Sequence, residues 1–247
     1  MEHIHTELMF TIGNKKYYSS GENMLVQFPR STPFSVVLNE AESQAVAFEC
    51  GLPVSEIIEV TNIDGDITVV SPLIKGRLLS DIVRCDGWSD ELLSKFVMLQ
   101  IEVHSKKSPV LHKLRDKMHR WISESPLNPT VRYDLHTKLD TLPKHNKICH
   151  GNYLPDRIIV TESGELFIMD WSETMQGNAS ADALFTYFTL YLDYGTVIAE
   201  KYISLFCNKS DISREYTEKW EPIVSSVMMR CRDTDAVELL KKRIIKK

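Results

Sequence analysis

The stretch 150–182 constrains the fold more than any other part of the sequence. Two apolar runs, Ile158–Val160 and Leu166–Met169, flank a turn signal at Gly164 and predict a β-hairpin. A polar loop leads into the first strand, and Asp170 directly follows the second. A hairpin of this length can bring the loop and Asp170 to one end of a sheet. That arrangement suits a site that holds a metal ion and a phosphate group.

The residues around this hairpin resemble the core motif of the aminoglycoside phosphotransferase/choline kinase family. That motif is roughly H-G-D-x-x-P-x-N with an apolar triplet, followed after about ten residues by [ILV]-D-[WF] and then by G and D. The resemblance implies a two-lobed, protein-kinase-like α+β fold, with a small antiparallel-sheet N-terminal lobe and a mostly helical C-terminal lobe. The matching residues are His150, Gly151, Pro155, Ile158, Ile159, Val160, Asp170, Trp171, Gly177 and Asp182.

The family's catalytic positions are partly changed in this sequence. The family uses the Asp of H-G-D as catalytic base, and the following Asn and the later Asp as magnesium ligands. Here Asn152 stands at the base position, Arg157 at the Asn position, and Asp170 is retained. The resemblance therefore assigns Asn152 and Asp170 to catalysis and Asp170 to the metal. A guanidinium repels a metal ion but can contact phosphate, so Arg157 is expected at the nucleotide phosphates, with the neighbouring Asp156 as an alternative metal ligand.

The N-terminal region predicts an antiparallel sheet with one helix. Strands are expected at 8–12, 16–18 and 24–28, with a Gly13-Asn14 turn after the first, and two more near 57–60 and 67–70. Apolar residues at helical spacing predict a helix over 36–50. From Ser89 onwards the pattern is mostly helical.

The resemblance also gives this lobe a role in nucleotide binding. In the family a lysine on the third strand binds the phosphates and pairs with a helix glutamate. The lysine position falls at Gln27, whereas the glutamate is present as Glu40. Gln27, Glu40 and Arg157 are therefore the expected nucleotide-binding residues. No substitute lysine is expected at the site, because the candidates lie on a turn or at the hinge: Lys15, Lys16 and Lys75.

The boundary between the lobes is expected near the Pro72–Gly76 segment, where proline and glycine favour a flexible link. The predicted domains are residues 1–74 and 75–247. In the resembled family this link is the hinge whose backbone groups hold the adenine.

Composition limits the class of partner. A net charge of −5 argues against a broad nucleic-acid surface, and no apolar run reaches membrane-spanning length. The scattered cysteines indicate neither a zinc site nor a disulfide framework, so a cytoplasmic location is expected.

Two functions remain open. The first is an ATP- and Mg²⁺-dependent kinase of a small-molecule hydroxyl with a rearranged site. The second is a pseudokinase that binds a ligand or a protein partner without turnover. Phosphoryl transfer needs a metal ion, a positive group on the phosphates and a carboxylate that orients the attacking hydroxyl. The two functions differ in whether this sequence still meets these needs. Three substitutions at these positions distinguish this sequence from the family pattern: Gln27, Asn152 and Arg157.

Overall fold

The computed structural model describes residues 6–229 and 234–244. They form two compact units, each built from two separate parts of the chain. The first unit contains the chain up to Gly87 together with Leu154–Thr174. The second contains Trp88–Tyr153 together with the chain from Met175 onwards. Residues 1–5, 230–233 and 245–247, which belong to the predicted domains, lie outside the described residues.

An antiparallel five-stranded sheet opens the first unit, in the strand order β1-β2-β3-β5-β4. Gly13, with a φ of +59°, makes the turn after β1, and β2 begins immediately afterwards at Lys15. All five predicted strands are present, although β4 begins two residues later than expected. The bounds are β1 Glu7–Ile12, β2 Lys15–Ser20, β3 Asn23–Gln27, β4 Glu59–Ile63 and β5 Asp66–Pro72.

The side chains of β2 and β3 point alternately to the two faces of this sheet. Lys16 pairs with Gln27 across the two strands, and Tyr17 pairs with Val26. Because alternate residues share a face, Lys15 lies on the side of Tyr17 and not on the side of Lys16. The Tyr17 face carries the apolar core of the unit: Ile12, Tyr17, Met24, Val26, Phe28, Val37, Val69, Ile74, Leu78, Ile159 and Met169.

The predicted helix is confirmed as α1 (Phe34–Glu49). The predicted hairpin is confirmed as β8 (Ile158–Thr161) and β9 (Leu166–Ile168). Short 3₁₀ turns precede and follow this hairpin, at Pro155–Arg157 and Trp171–Glu173.

The hairpin belongs to the first compact unit, whereas the sequence placed it in a domain of residues 75–247. The reason is strand pairing and packing. β6 (Gly76–Leu78) pairs with β8, and α2 (Leu79–Asp86) follows β6 directly. The backbone N–H of Ile168 also donates to Pro53 O at 2.8 Å, which ties β9 to the N-terminal part of the chain.

The second unit is mostly helical, as predicted. A two-stranded sheet of β7 (Lys147–Cys149) and β10 (Met175–Gly177) lies among its helices. No helix of the described residues is long and apolar enough to cross a bilayer. The helices are α3 Asp90–Ser105, α4 Leu114–Glu124, α5 Pro129–Thr141, α6 Ala179–Tyr194, α7 Thr196–Ser210, α8 Arg214–Glu218, α9 Glu221–Met228 and α10 Thr234–Ile244.

Candidate functional site

Lys15 is the residue that the sequence analysis missed. Its ammonium group is buried, with the side chain 9% exposed, and donates to Glu40 Oε1 at 2.6 Å and to Asp170 Oδ1 at 2.5 Å. The expectation that no lysine reaches this site was wrong. Lys15 enters it from the start of β2 and pairs with Glu40, which stands where the resembled family has the partner of a third-strand lysine.

Asp170 lies at the centre of the same group. It directly follows β9 and adopts a left-handed backbone conformation, with a φ of 60°. Its Oδ1 accepts from Lys15 and also from the Ser172 hydroxyl at 2.8 Å. Its Oδ2 accepts from Arg157 Nε at 2.8 Å. Each carboxylate oxygen of Asp170 is therefore bound to a cationic side chain.

Arg157 completes the group from the 3₁₀ turn before β8. Besides its bond to Asp170, its guanidinium contacts the Asp156 carboxylate. Asp156, expected as an alternative metal ligand, is thus an ion-pair partner of Arg157. We call Lys15, Glu40, Asp156, Arg157 and Asp170 the ion cluster; it holds two cations and three carboxylates.

Burial and the neighbouring cations shift the pKa values of these carboxylates in opposite directions. Burial tends to raise the pKa of Asp170, but Lys15 and Arg157 outweigh it and lower the pKa to about 2. Burial raises the pKa of Glu40, and Lys15 offsets only part of that effect. Asp170 is therefore the more firmly ionised of the two acids that share the Lys15 ammonium group.

Gln27 is not brought together with Glu40 and Asp170. It lies opposite Lys16 on the face of the sheet that points away from the apolar core. Met24 and Val26 of β3, together with the following Phe28, lie on the core face, and the Lys15 ammonium lies 5.4 Å from the Phe28 ring centre. Glu40 is therefore paired with Lys15 and not with Gln27.

Asn152 belongs to the second unit, in the loop that follows β7. Its backbone N–H donates to His150 Nδ1 at 3.3 Å. Asp182, on α6, holds this loop by accepting from the Gly151 N–H at 2.7 Å and the His150 N–H at 3.3 Å. These two bonds give Asp182 a structural role in holding the loop.

The side chain of Asp182 is itself held by α3. His104 Nε2 lies 2.8 Å from Asp182 Oδ2, and Gln100 donates to the same oxygen at 3.2 Å. Cys149 lies close enough to form a three-residue group with His104 and Asp182. Because both Asp182 oxygens already accept hydrogen bonds, this group works as a brace for the loop and offers no free carboxylate to a metal ion.

The ion cluster does not fit Mg²⁺ in this arrangement. Mg²⁺ prefers carboxylate, carbonyl and water oxygens in an octahedral shell. Asp170 stands where the resembled family has a metal ligand, and Lys15, Ser172 and Arg157 occupy its two oxygens. A metal ion would have to displace a cation from Asp170 and remain beside the guanidinium of Arg157.

The space beneath the sheet is also too small for a purine base. The inner-face side chains leave a cavity of about 20 Å³, room for about one water molecule. Tyr17 lines this cavity, and its buried hydroxyl has no hydrogen-bond partner among the described residues. Burial, together with Asp170 and Glu40, holds the pKa of Tyr17 well above its usual value, so the hydroxyl stays protonated. A purine base would enter this cavity only if these side chains moved apart.

Comparison with known proteins identifies the fold. No family model and no curated protein sequence matches the chain. Among solved structures, an aminoglycoside-3'-phosphotransferase of type VIII has a TM-score of 0.66 at 14% identity, over 90% of this chain and 93% of that one. The choline kinase LicA from Streptococcus pneumoniae has a TM-score of 0.66 at 13% identity, over 97% and 92%.

A third neighbour is a thermostable mutant of aminoglycoside phosphotransferase APH(4)-Ia in ternary complex with AMP-PNP and hygromycin B. It has a TM-score of 0.66 at 11% identity, over 97% of this chain and 91% of that one. At these identities the likeness establishes the fold alone. The predicted kinase-like fold is confirmed.

Proposed function

We propose that this chain, which has the fold of aminoglycoside phosphotransferases and choline kinases, is a catalytically impaired phosphotransferase, a pseudokinase that binds a ligand or a protein partner. One observation carries the proposal: Lys15 and Arg157 hold the two oxygens of Asp170. The one retained metal ligand of the resembled family is thereby neutralised from both sides. Asn152 at the base position adds to this, because an amide cannot accept the proton of a substrate hydroxyl at neutral pH.

A second candidate is an ATP-dependent kinase of a small-molecule hydroxyl, and a different observation favours it. The Lys15–Glu40 pair restores the lysine and glutamate pairing that this fold uses to bind phosphates. Positioning and charge dominate phosphoryl transfer, so a lysine supplied from β2 could serve a substrate that opens the site. The nucleotide bound by APH(4)-Ia makes ATP the first ligand to test in this chain.

A thermal-shift titration with ATP and ADP, with and without Mg²⁺, separates the two candidates. Ligand binding to the native state raises Tm by mass action. For a pseudokinase we expect no Mg²⁺-dependent increase in Tm and no ADP release, with choline and hygromycin B as trial acceptors. A Mg²⁺-dependent increase that is lost in Asp170→Ala, together with ADP release, would establish the kinase instead.

The expectations about the location and the partners of the protein remain predictions from the sequence. These are a cytoplasmic location, the absence of nucleic-acid and membrane binding, and a protein partner. The lack of a bilayer-spanning helix among the described residues is compatible with them and selects none of them.

A further inference from the structure

Helices α4 and α5 of the second unit are joined by hydrogen bonds near both of their ends. At one end the Arg115 guanidinium of α4 donates to Leu139 O and, at 2.6 Å, to Leu142 O. At the other end the Arg132 guanidinium of α5 donates to Ser123 O at 2.7 Å. Side chains that lie between these two ends are therefore held in place against the facing helix.

Between these ends, one histidine of each helix faces the other. His119 Nδ1 lies 2.8 Å from His136 Nδ1. The two rings are nearly parallel, at 12°, and their centres are 5.1 Å apart. That separation is close to the longest that such a contact between two ring nitrogens allows, so both Nδ1 atoms lie near the line that joins the ring centres. The lone pair of a ring nitrogen points outward from the ring centre, so the two Nδ1 atoms point directly at each other.

The second nitrogen of each ring shows where the protons lie. His119 Nε2 is 3.1 Å from Asp140 Oδ1, and an ionised carboxylate only accepts, so this Nε2 carries a proton. His136 Nε2 is 3.2 Å from Ser123 Oγ, which donates its one proton to His119 O at 3.1 Å. His136 Nε2 is therefore the donor to Ser123. A neutral imidazole protonated at Nε2 carries a lone pair at Nδ1, so both facing Nδ1 atoms are acceptors.

Two lone pairs that face each other at this distance need a cation between them, either a proton or a metal ion. The neutral imidazole nitrogen is a ligand that suits zinc, copper and nickel. A histidine that binds a metal usually donates its other ring N–H to a carboxylate or a further acceptor, which orients the ring. Both histidines have such an acceptor on the opposite helix, Asp140 for His119 and Ser123 for His136.

We propose that His119 and His136 bind a late first-row transition metal ion, such as Zn²⁺, through their Nδ1 atoms. Zn–N distances of about 2.0–2.1 Å place two nitrogens of a tetrahedral site about 3.3 Å apart, so the rings have to turn and separate by about 0.5 Å. The His119 side chain is 31% exposed, so solvent reaches the pair and water can supply the remaining ligands. The inference does not depend on the function proposed above, because no member of the ion cluster lies on α4 or α5.

The test uses the full ¹⁵N-labelled chain at about pH 7.5, where an unperturbed imidazole is mostly neutral. Long-range ¹H–¹⁵N spectra distinguish Nδ1 from Nε2 in each histidine ring, and the variants His119→Gln and His136→Gln identify the two rings. We expect Zn²⁺ to shift the Nδ1 resonances of both rings saturably. Mg²⁺, which prefers oxygen ligands, should shift neither.

Removing one histidine tests whether the pair acts together. In His136→Gln we expect the Kd obtained from the His119 Nδ1 shift to rise about tenfold or more, which corresponds to about 1.4 kcal/mol or more of lost binding. His112→Gln removes an exposed histidine outside the pair and should leave this Kd unchanged.

Asp140 is a positioning residue in this site, and its replacement tests that role. Asp140→Ala removes the acceptor of His119 Nε2–H, and loss of such a partner typically weakens metal binding about tenfold or more. Asp134→Ala removes an exposed carboxylate from the same helix and should leave the Kd of Zn²⁺ unchanged. Equal Kd values in the two variants would contradict the orienting role of Asp140.

Three results would overturn the proposal. They are the absence of a Zn²⁺-dependent shift at either Nδ1, an equal response to Mg²⁺, and an unchanged Kd in His136→Gln. In the first case the cation between the rings is a shared proton.

Discussion

At Lys15 the alternation of a β-strand decides which of two neighbouring lysines enters the site. Lys15 shares a face with Tyr17 and is buried, whereas Lys16 faces away and is exposed. The same alternation along β3 and into the residue that follows it turns Val26 and Phe28 inwards and Gln27 outwards. Strand position, and not distance along the chain, therefore determines which cation reaches Glu40 and Asp170.

Removing the Lys15 ammonium group should lower the free energy of unfolding. In Lys15→Met, Glu40 keeps no described ion-pair partner and Asp170 keeps only Arg157. Breaking a buried ion pair by removing one partner typically costs about 3–5 kcal/mol. We expect a loss of that order in the free energy of unfolding, measured by urea denaturation. Lys16→Met removes the same charge from an exposed position and should change it by less than about 0.5 kcal/mol; similar losses in both variants would refute the buried role of Lys15.

The contribution of Asp170 to stability should depend on pH. Its pKa is about 2 in the folded chain and 3.8 in the reference state. A carboxylate with a depressed folded-state pKa stabilises the fold above the unfolded pKa, and this stabilisation is lost as pH falls through the folded pKa. The contribution at neutral pH is about 2 kcal/mol.

Urea unfolding of the native chain and of Asp170→Asn, measured from pH 6 down to about pH 2, checks this expectation. The difference in their free energies of unfolding should be constant above about pH 5 and shrink below about pH 4. A difference that stays constant through this range would show that Asp170 is not held by Lys15 and Arg157 as the structure places it.

Arg157 should control whether Asp170 can hold a divalent cation. In Arg157→Asn, Oδ2 of Asp170 becomes free and an amide oxygen replaces the guanidinium, which restores the ligand type of the resembled family. We expect Mg²⁺ and Mn²⁺ to bind this variant measurably by isothermal titration calorimetry, and the native chain not to bind them. Arg77→Asn, the same change at an exposed position of β6, should behave like the native chain. Equal metal binding by all three chains would show that the two cations on Asp170 do not block the metal.

The sequence contained a signal for part of this site. Val26-Gln27-Phe28 alternates apolar and polar residues, which predicts an outward Gln27 by the period of a strand. In Lys15-Lys16-Tyr17-Tyr18 each residue type occurs twice in succession, so the sequence did not show which of these side chains point into the core. Asp170 and Glu40 were found because motif spacing marks them. Lys15 was missed because its role depends on tertiary contacts.

Among the elements, strands and helices were predicted well where periodicity or turn signals were strong. The β8–β9 hairpin, the Gly13 turn and α1 followed directly from such patterns. The pairing of β6 with β8 was not predicted, because a three-residue strand has too few alternations to show a period. That pairing is what places the hairpin in the same compact unit as the N-terminal sheet.

Gly76 should be essential for this pairing. A Cβ added there would lie 2.3 Å from Val160 O and 2.6 Å from Ile159 Cγ2, both on β8. Gly76→Ala forces β6 away from β8, and overpacking of this kind costs about 1–3 kcal/mol. Urea denaturation measures the loss, and Lys75→Ala, at the exposed neighbouring position, is the control. No difference between the two variants would mean that β6 and β8 do not approach as closely as described.

For the molecule as a whole, the first unit is discontinuous in sequence. Ile159 and Met169, from the second part of that unit, belong to the same apolar core as Tyr17, Val26 and Val37. Asp170, from that same part, binds the Lys15 ammonium. The core of the N-terminal part is therefore incomplete until the hairpin has been added.

A chain that ends at Gly87 should consequently fail to fold by itself. It lacks β8 as the partner of β6, the side chains of Ile159 and Met169, and the carboxylate that shares Lys15. We expect little dispersion in its ¹H–¹⁵N spectrum and no cooperative urea transition. Joining Leu154–Thr174 to Gly87 through a flexible Gly/Ser linker should restore both, because the linker's closure entropy grows only slowly with its length. A cooperatively folded chain without the hairpin would instead show that the N-terminal sheet and α1 form a sufficient core, with the ion cluster as a later addition.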